Sequence, residues 1–330
     1  MSFTLSFLAA VALDLLFGDP RRLAHPVQGI GWFCTVFEAR CRKLVASPAL
    51  AGTIATILVP FCTLAALAIP LMLLHRLAPW LETGVALLLL STAIACRSLY
   101  DHGIQVYRAL VDGDIACARR KVAMIVGRDT AALDRQGICR ACVETVAENL
   151  VDGIVAPVFY AVIASCLPGA GLLSPLSLAV LGAYLYKAIN TMDSMYGYKN
   201  PTYLHFGRLA ARIDDGANFL PARLSGPLLV ASAWLLSRDG RNGWRIFTRD
   251  RFNHASPNSG HPEAAMAGLL GVQLGGDSSY FGTVVSKPTL GEPQRVLELE
   301  DIMVACRLMI TASVLFTLAL LFCRLVIVGG

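Results

Sequence analysis

From Leu50 to Leu74 the chain runs without one charged side chain. At 1.5 Å per residue such a stretch crosses the ~30 Å hydrocarbon core of a bilayer as a single helix. This constrains the fold more than any other feature, because in lipid every backbone amide must find its partner within the protein. Further apolar segments lie at 3–17, 81–96, 154–167, 172–186 and 303–328. Composition agrees: 55% of residues are hydrophobic and 15% charged, against ~25% charged in soluble domains. The chain therefore reads as an all-α, polytopic integral membrane protein forming a single membrane domain over 1–330. Segments 50–74 and 81–96 form one helical hairpin, and 154–167 and 172–186 a second, with cytoplasm-facing polar loops and amphipathic helices between. Pro60 and Pro70 are tolerable in a membrane helix whose neighbours satisfy the freed carbonyls. Segment 227–236 is too short to cross and reads as interfacial or re-entrant. The N-terminus lacks a basic leader and carries Asp14 inside its apolar run, so it reads as an uncleaved membrane segment rather than a signal peptide.

Counting crossings places 18–50, 97–150, 187–225 and 238–302 on one side. These stretches hold all but three of the 28 lysines and arginines. Basic loops face the cytoplasm, so the polar clusters are expected to share a cytosol-facing site on the cell inner membrane. The net charge of +5 is spread among acids rather than drawn into a stripe, which argues against nucleic acid. Of the ten cysteines, several lie in apolar segments (Cys62, Cys96, Cys166, Cys306, Cys323), where the residue behaves as a small hydrophobe. Cys139 and Cys142 form one CxxC without the second pair that a zinc site requires.

Several polar clusters carry chemistry. Lys187, Asn190 and Asp193 follow at three-residue spacing, placing an ammonium, an amide and a carboxylate around one helical turn. In GRLAARIDDG, Arg208, Arg212 and Asp215 share a helical face whereas Asp214 points away. The plainer alternative has Gly216 ending the helix with both acids in solvent. Glu144, Glu148 and Asp152 stand four apart, within ~80° of a helical wheel. They form either a solvated stripe, with Arg140 an i,i+4 partner for Glu144, or a Mg²⁺ site, since hard cations take carboxylate oxygens. The turn SPNSG, with Ser256 and Asn258, either cradles a phosphate or caps the helix that follows. Glycines 268, 271, 275 and 276 suggest close helix packing or backbone approach to a ligand. Asp19 and His25 belong to the pocket or shape its entrance.

Five stretches in order, LDLLFGDPRRLAHPVQGIG, ETVAENLVDGIVAPVFY, YKAINTMDSMYGYKN, FGRLAARIDDGANFLPARL and SPNSGHPEAAMAGLLGVQLGG, resemble the adenosylcobinamide-phosphate synthases of cobalamin biosynthesis, the CobD/CbiB group. The resemblance covers nearly the whole chain. It implies an inner-membrane ligase that joins adenosylcobyric acid to (R)-1-amino-2-propanol O-phosphate, or to ethanolamine phosphate, with ATP and Mg²⁺. The chain has no Gly-Lys dipeptide and so no Walker A loop, nor a GxGxxG, so ATP rests on the resemblance alone. Under it, Asp193, Asp214 and Lys187 are the catalytic candidates, and Glu144, Glu148 and Asp152 the metal ligands. Lys199, Arg208, Arg212 and Arg223 would hold phosphates, while Asn149, Asn190, Ser256, Asn258 and His25 orient the substrates. The aromatics Tyr196, Tyr198, Tyr203 and Phe206 would offer a surface to the corrin. Other partners implied are the lipid bilayer, further copies of the chain or other cobalamin-pathway enzymes.

Two rivals come from other classes. One is a non-catalytic sensor like the related AmpE group, which need not retain the full set of acids and phosphate-binding bases. The other is a carrier of a phosphorylated solute, which would place polar residues in mid-span.

Overall fold

A computed structural model describes residues 2–19, 25–198, 200–280 and 282–329. Lys199 and the arginines at 21 and 22 lie outside the described residues. The chain is all-α apart from four three-residue strands, and it divides into two compact units. One comprises residues 1–95, 156–218 and 319–330; the other comprises 96–155 and 219–318.

Among the described residues four helices are long and apolar enough to cross a membrane: Pro48–Leu77, Pro79–Val111, Arg135–Ser165 and Glu300–Val328. Phe3–Phe17 and Phe219–Leu235 are shorter apolar helices. The apolar run at 154–167 is thus the end of a helical stretch that begins at Arg135.

In the first unit, Pro48 opens the helix Pro48–Leu77 and Ser47 caps it, accepting from the Leu50 amide at 3.4 Å. The helix passes through Pro60 and Pro70 without a break. Only 17% of its most apolar window is covered by the rest of the protein, and Ile57 and Phe61 are 62% and 67% exposed. So much outward apolar surface is untenable in water and natural in lipid. The helices Ala156–Ser165 and Pro175–Tyr196 approach closely at Gly182, where a Cβ would lie 2.3 Å from the Tyr160 carbonyl oxygen. The apolar helices are less bare of charge than their sequence suggests. Asp14, Glu82 and Arg324 are all turned inward and buried. Glu82 accepts from the Ser174 and Ser177 hydroxyls, and Arg324 donates to Ser165 Oγ at 2.7 Å. Ionisable groups at such depth survive by finding polar partners inside the protein.

The second unit contains the helices Cys96–Val111, Ile115–Val122, Arg135–Leu150, Phe219–Leu235, Gly240–Asp250 and Gly260–Leu270, together with most of Glu300–Gly329. Every residue of Gly260–Leu270 is buried. Its neighbour Gly240–Asp250 comes so near that a Cβ on Gly268 would lie 2.7 Å from Ile246 Cβ. Two antiparallel pairs follow: Gln273–Gly275 with Thr289–Gly291, and Ser278–Tyr280 with Thr283–Val285. Gly275 holds φ +80, a left-handed conformation that disfavours residues with a side chain. The ten cysteines are all free thiols.

Candidate active site

In the second unit, the helix Arg135–Leu150 presents Glu144 and Glu148 one turn apart. Glu144 is buried and bonded to the Arg128 guanidinium. It also accepts from the Gly275 amide at 2.7 Å. Arg128 in turn donates to Ser278 Oγ at 3.1 Å. The sequence-based partner for Glu144 was Arg140, four residues back. The structure replaces it with Arg128, because the segment before the helix folds back and satisfies the carboxylate away from water. Glu148 is exposed, and Ser259 Oγ donates to it at 2.9 Å. Asp152 is half-buried and falls in a π turn, Val151–Val155. The wider turn shifts its register from the stripe that regular helical spacing predicts. Among the described residues no three His, Cys, Asp or Glu side chains gather into a metal-binding group by themselves. Both Glu144 oxygens are already engaged, by Arg128 and by the Gly275 amide, whereas Glu148 turns an exposed carboxylate outward.

Glu263 belongs to the same neighbourhood and was missed in the sequence. It is 5% exposed, on the wholly buried helix Gly260–Leu270. Burial, reinforced by the charges of Glu148 and Glu144, pushes its carboxyl well above the usual range, with Lys287 and Arg128 opposing. His254 Nε2 lies 3.8 Å from Glu263 Oε1. Burial pushes that imidazole down, against the pull of Glu148, so burial opposes charge on both facing groups. The one available signal was an acid set into the apolar run AAMAGLL.

The SPNSG turn is occupied by its own side chains. Ser256 Oγ accepts from the amides of Asn258 and Ser259, each at 3.3 Å. The Ser256 amide bonds to His254 Nδ1 at 3.0 Å. Ser259 occupies the capping position without a capping bond from its side chain, since its hydroxyl is directed to Glu148. Asn258 is buried. Asn149 bonds back to the Thr145 carbonyl on its own helix, at 3.1 Å. Arg223 donates to the Phe219 carbonyl at 2.8 Å and stacks 3.4 Å from that ring's centroid.

The first unit carries the other candidates. Lys187, Asn190 and Asp193 are half-buried on Pro175–Tyr196. The chain leaves that helix at Gly197, where a Cβ would sit 2.2 Å from Asp193 Oδ1. The helix Arg208–Ala217 runs past Gly216, so that glycine does not end it. Asp214 is buried, whereas Arg208, Arg212 and Asp215 are exposed, the division that a helical wheel predicts. Asp214 Oδ2 accepts from Asn218 Nδ2 at 3.1 Å. Asn218 Oδ1 accepts from the Tyr186 hydroxyl at 2.8 Å. Arg208, Arg212 and Asp215 line a cavity of about 330 Å³ with Tyr196, Tyr198 and Tyr203. His25 caps the helix Pro26–Leu44, with Nδ1 accepting from the Val27 amide at 3.2 Å, and its Nε2 lies 3.3 Å from Asp19 Oδ1.

These features define a multi-pass α-helical membrane protein with a carboxylate cluster and an arginine-tyrosine cavity. A family model described as CobD/Cbib protein matches residues 7–309. Similar proteins named "Cobalamin biosynthesis protein CobD" come from Desulfotalea psychrophila, 45% identical over 99% of both chains, and Geobacter metallireducens, 47% identical over 94% of this chain and 93% of that one. A third, from Clostridium perfringens, is 42% identical over 88% of each. No solved structure matches. The chain belongs to the CobD/CbiB family of cobalamin biosynthesis proteins.

Proposed function

We propose that the protein is an ATP-dependent amide ligase that joins adenosylcobyric acid to (R)-1-amino-2-propanol O-phosphate or ethanolamine phosphate, giving adenosylcobinamide phosphate. The observation that carries this reading is the pairing, in one neighbourhood, of carboxylates (Glu144, Glu148) with basic groups (Arg128, Lys287) around the buried acid Glu263. Phosphoryl transfer needs both signs of charge, acids for a divalent cation and bases for phosphate oxygens. The exposed Glu148 would be the first ligand of Mg²⁺, which when bound neutralises charge on the ATP phosphates; Glu144 would join it only by exchanging Arg128 for the ion, and Asp152 only from off the stripe.

A carboxylate at neutral pH has no leaving group. In this scheme the γ-phosphoryl group passes from ATP to the carboxylate oxygen, giving ADP and an acyl phosphate. The amine then attacks the acyl carbon, forming the C–N bond and expelling phosphate. The ammonium must first lose its proton, and Asp193 and Asp214 are the candidate bases. Tied through Asn218 to Tyr186, Asp214 is held in a fixed orientation. Lys187 stabilises developing charge. Arg208 and Arg212, whose planar guanidinium groups suit bidentate contact, hold the substrate phosphate beside the tyrosines that would receive the corrin rim. Lys199 and Arg223 are further phosphate-binding candidates. Asn149, Asn190, Ser256, Asn258 and His25 position these groups and the substrates. On the positive-inside reading the site faces the cytoplasm, where ATP is available.

Full-length protein purified in detergent, given adenosylcobyric acid, Mg·ATP and each amino alcohol phosphate in turn, should form the amide and release ADP. Failure to form product with both amines would refute the ligase.

A further inference from the structure

A cleft of about 480 Å³ opens beside the first turns of the helix Arg135–Leu150. It is lined among others by Asp134, Gln136, Arg140, Gln273 and Arg295. None of these residues has a role in the proposed ligase. The charges of the cleft are unevenly matched. Asp134 caps the helix, accepting from the Gly137 amide at 2.7 Å. Arg295 is paired with Asp301, donating through Nη1 at 2.9 Å. Among the described residues the Arg140 side chain makes no ion pair, and its Nε is buried with no hydrogen-bond partner.

Two facts explain how that guanidinium comes to stand alone. The carboxylate one turn along its helix, Glu144, is taken by Arg128 and the Gly275 amide. On the other side is Gly276, where a Cβ would lie 3.8 Å from Arg140 Nη1, so backbone rather than an acidic side chain backs the group. A guanidinium remains charged at any physiological pH. Burying one of its N–H groups without an acceptor is costly, and a ligand that supplies the acceptor relieves the cost. Gln136 and Gln273, both exposed, add amide donors at the rim.

We propose that this cleft binds a carboxylate-bearing small molecule, with Arg140 as its cationic, bidentate partner. Arg140 is the arginine of the cleft without a carboxylate partner, and because Asp134 already puts a negative charge there, a carboxylate monoanion meets less repulsion than a phosphate dianion. The planar fork of arginine meets both oxygens of a carboxylate at once.

Arginine labelling with phenylglyoxal, read by peptide mass spectrometry on the full-length wild-type protein in detergent, tests this without any variant. Propionate should slow modification of Arg140 several-fold while leaving the exposed Arg241 unchanged, and inorganic phosphate should protect less. Calorimetric titration with propionate should show about a tenfold or greater loss of affinity in R140Q, with R140K in between. Equal labelling of Arg140 with and without carboxylate, or wild-type affinity in R140Q, would overturn the site. Protection by phosphate as strong as by carboxylate would overturn the charge-matching argument. Neither readout depends on ligase turnover, so the site stands or falls separately from the reaction.

Discussion

His261 offers a quantitative test of how the second unit is packed. It is 2% exposed, and among the described residues neither ring nitrogen has a hydrogen-bond partner. Phe247 and Phe252 lie with ring centroids 5.9 and 5.5 Å away. Burial pushes its pKa from 6.5 down to about 4, with the positive charges of Arg223 and Arg251 adding to the shift. A group whose folded value lies below its unfolded value binds fewer protons in the folded state. Its contribution is fully present above pH 6.5 and is lost as pH falls toward 4. At 1.36 kcal/mol per unit, the loss across that window is about 3 kcal/mol. At about 2 °C per kcal/mol for a long chain, that is roughly 6 °C in melting temperature. The H261L variant fills the site with an apolar side chain and removes the titration. Thermal unfolding from pH 7.5 to 4 should therefore show the wild type losing about 6 °C more than H261L. Parallel curves for the two proteins would mean that the imidazole is solvated, and would refute the packing argument.

Three further outcomes follow from the same structure. R128M should destabilise the protein by about 3 kcal/mol, because Glu144 is left as an uncompensated buried charge, and the double variant R128M/E144L should recover most of the loss. Differential scanning measurements on the single and double variants check this, and additive losses would contradict a direct pair. In the amide-forming assay, whichever of Asp193 and Asp214 is the base should lose at least about 100-fold in rate as its Asn variant, at unchanged melting temperature; wild-type rates in both variants would exclude them. G268A should cost about 1–3 kcal/mol in thermal unfolding, since the added methyl must displace Ile246 or the neighbouring helix. A neutral result would mean that the two helices are free to move apart.

Local rules carried much of the reading because their causes are local. An uncharged run such as Leu50–Leu74 becomes a lipid-facing helix through its own hydropathy and its own i to i−4 hydrogen bonds. The opposite placement of Asp214 and Asp215 follows from 100° per residue and needs no knowledge of the rest of the chain. Five ordered motifs were likewise sufficient to indicate the family. What those rules could not supply was the identity of the neighbours. Spacing offered Glu144 either Arg140 or a cation, but tertiary folding brought Arg128 and the Gly275 amide to it. Ser259 looked like a cap or a phosphate ligand until folding set its hydroxyl on Glu148. Glu263 carries no signal in the sequence beyond an acid set into an apolar run, and only burial of its whole helix beside two other carboxylates raises its carboxyl above the usual range. Hydropathy and helical period are properties of adjacent residues, whereas the dielectric around a carboxyl and the groups that answer its charge depend on segments brought together from 16 residues away, as for Arg128 and Glu144, or from more than a hundred, as for Gly275 and Ser259. Those the packed structure alone decides.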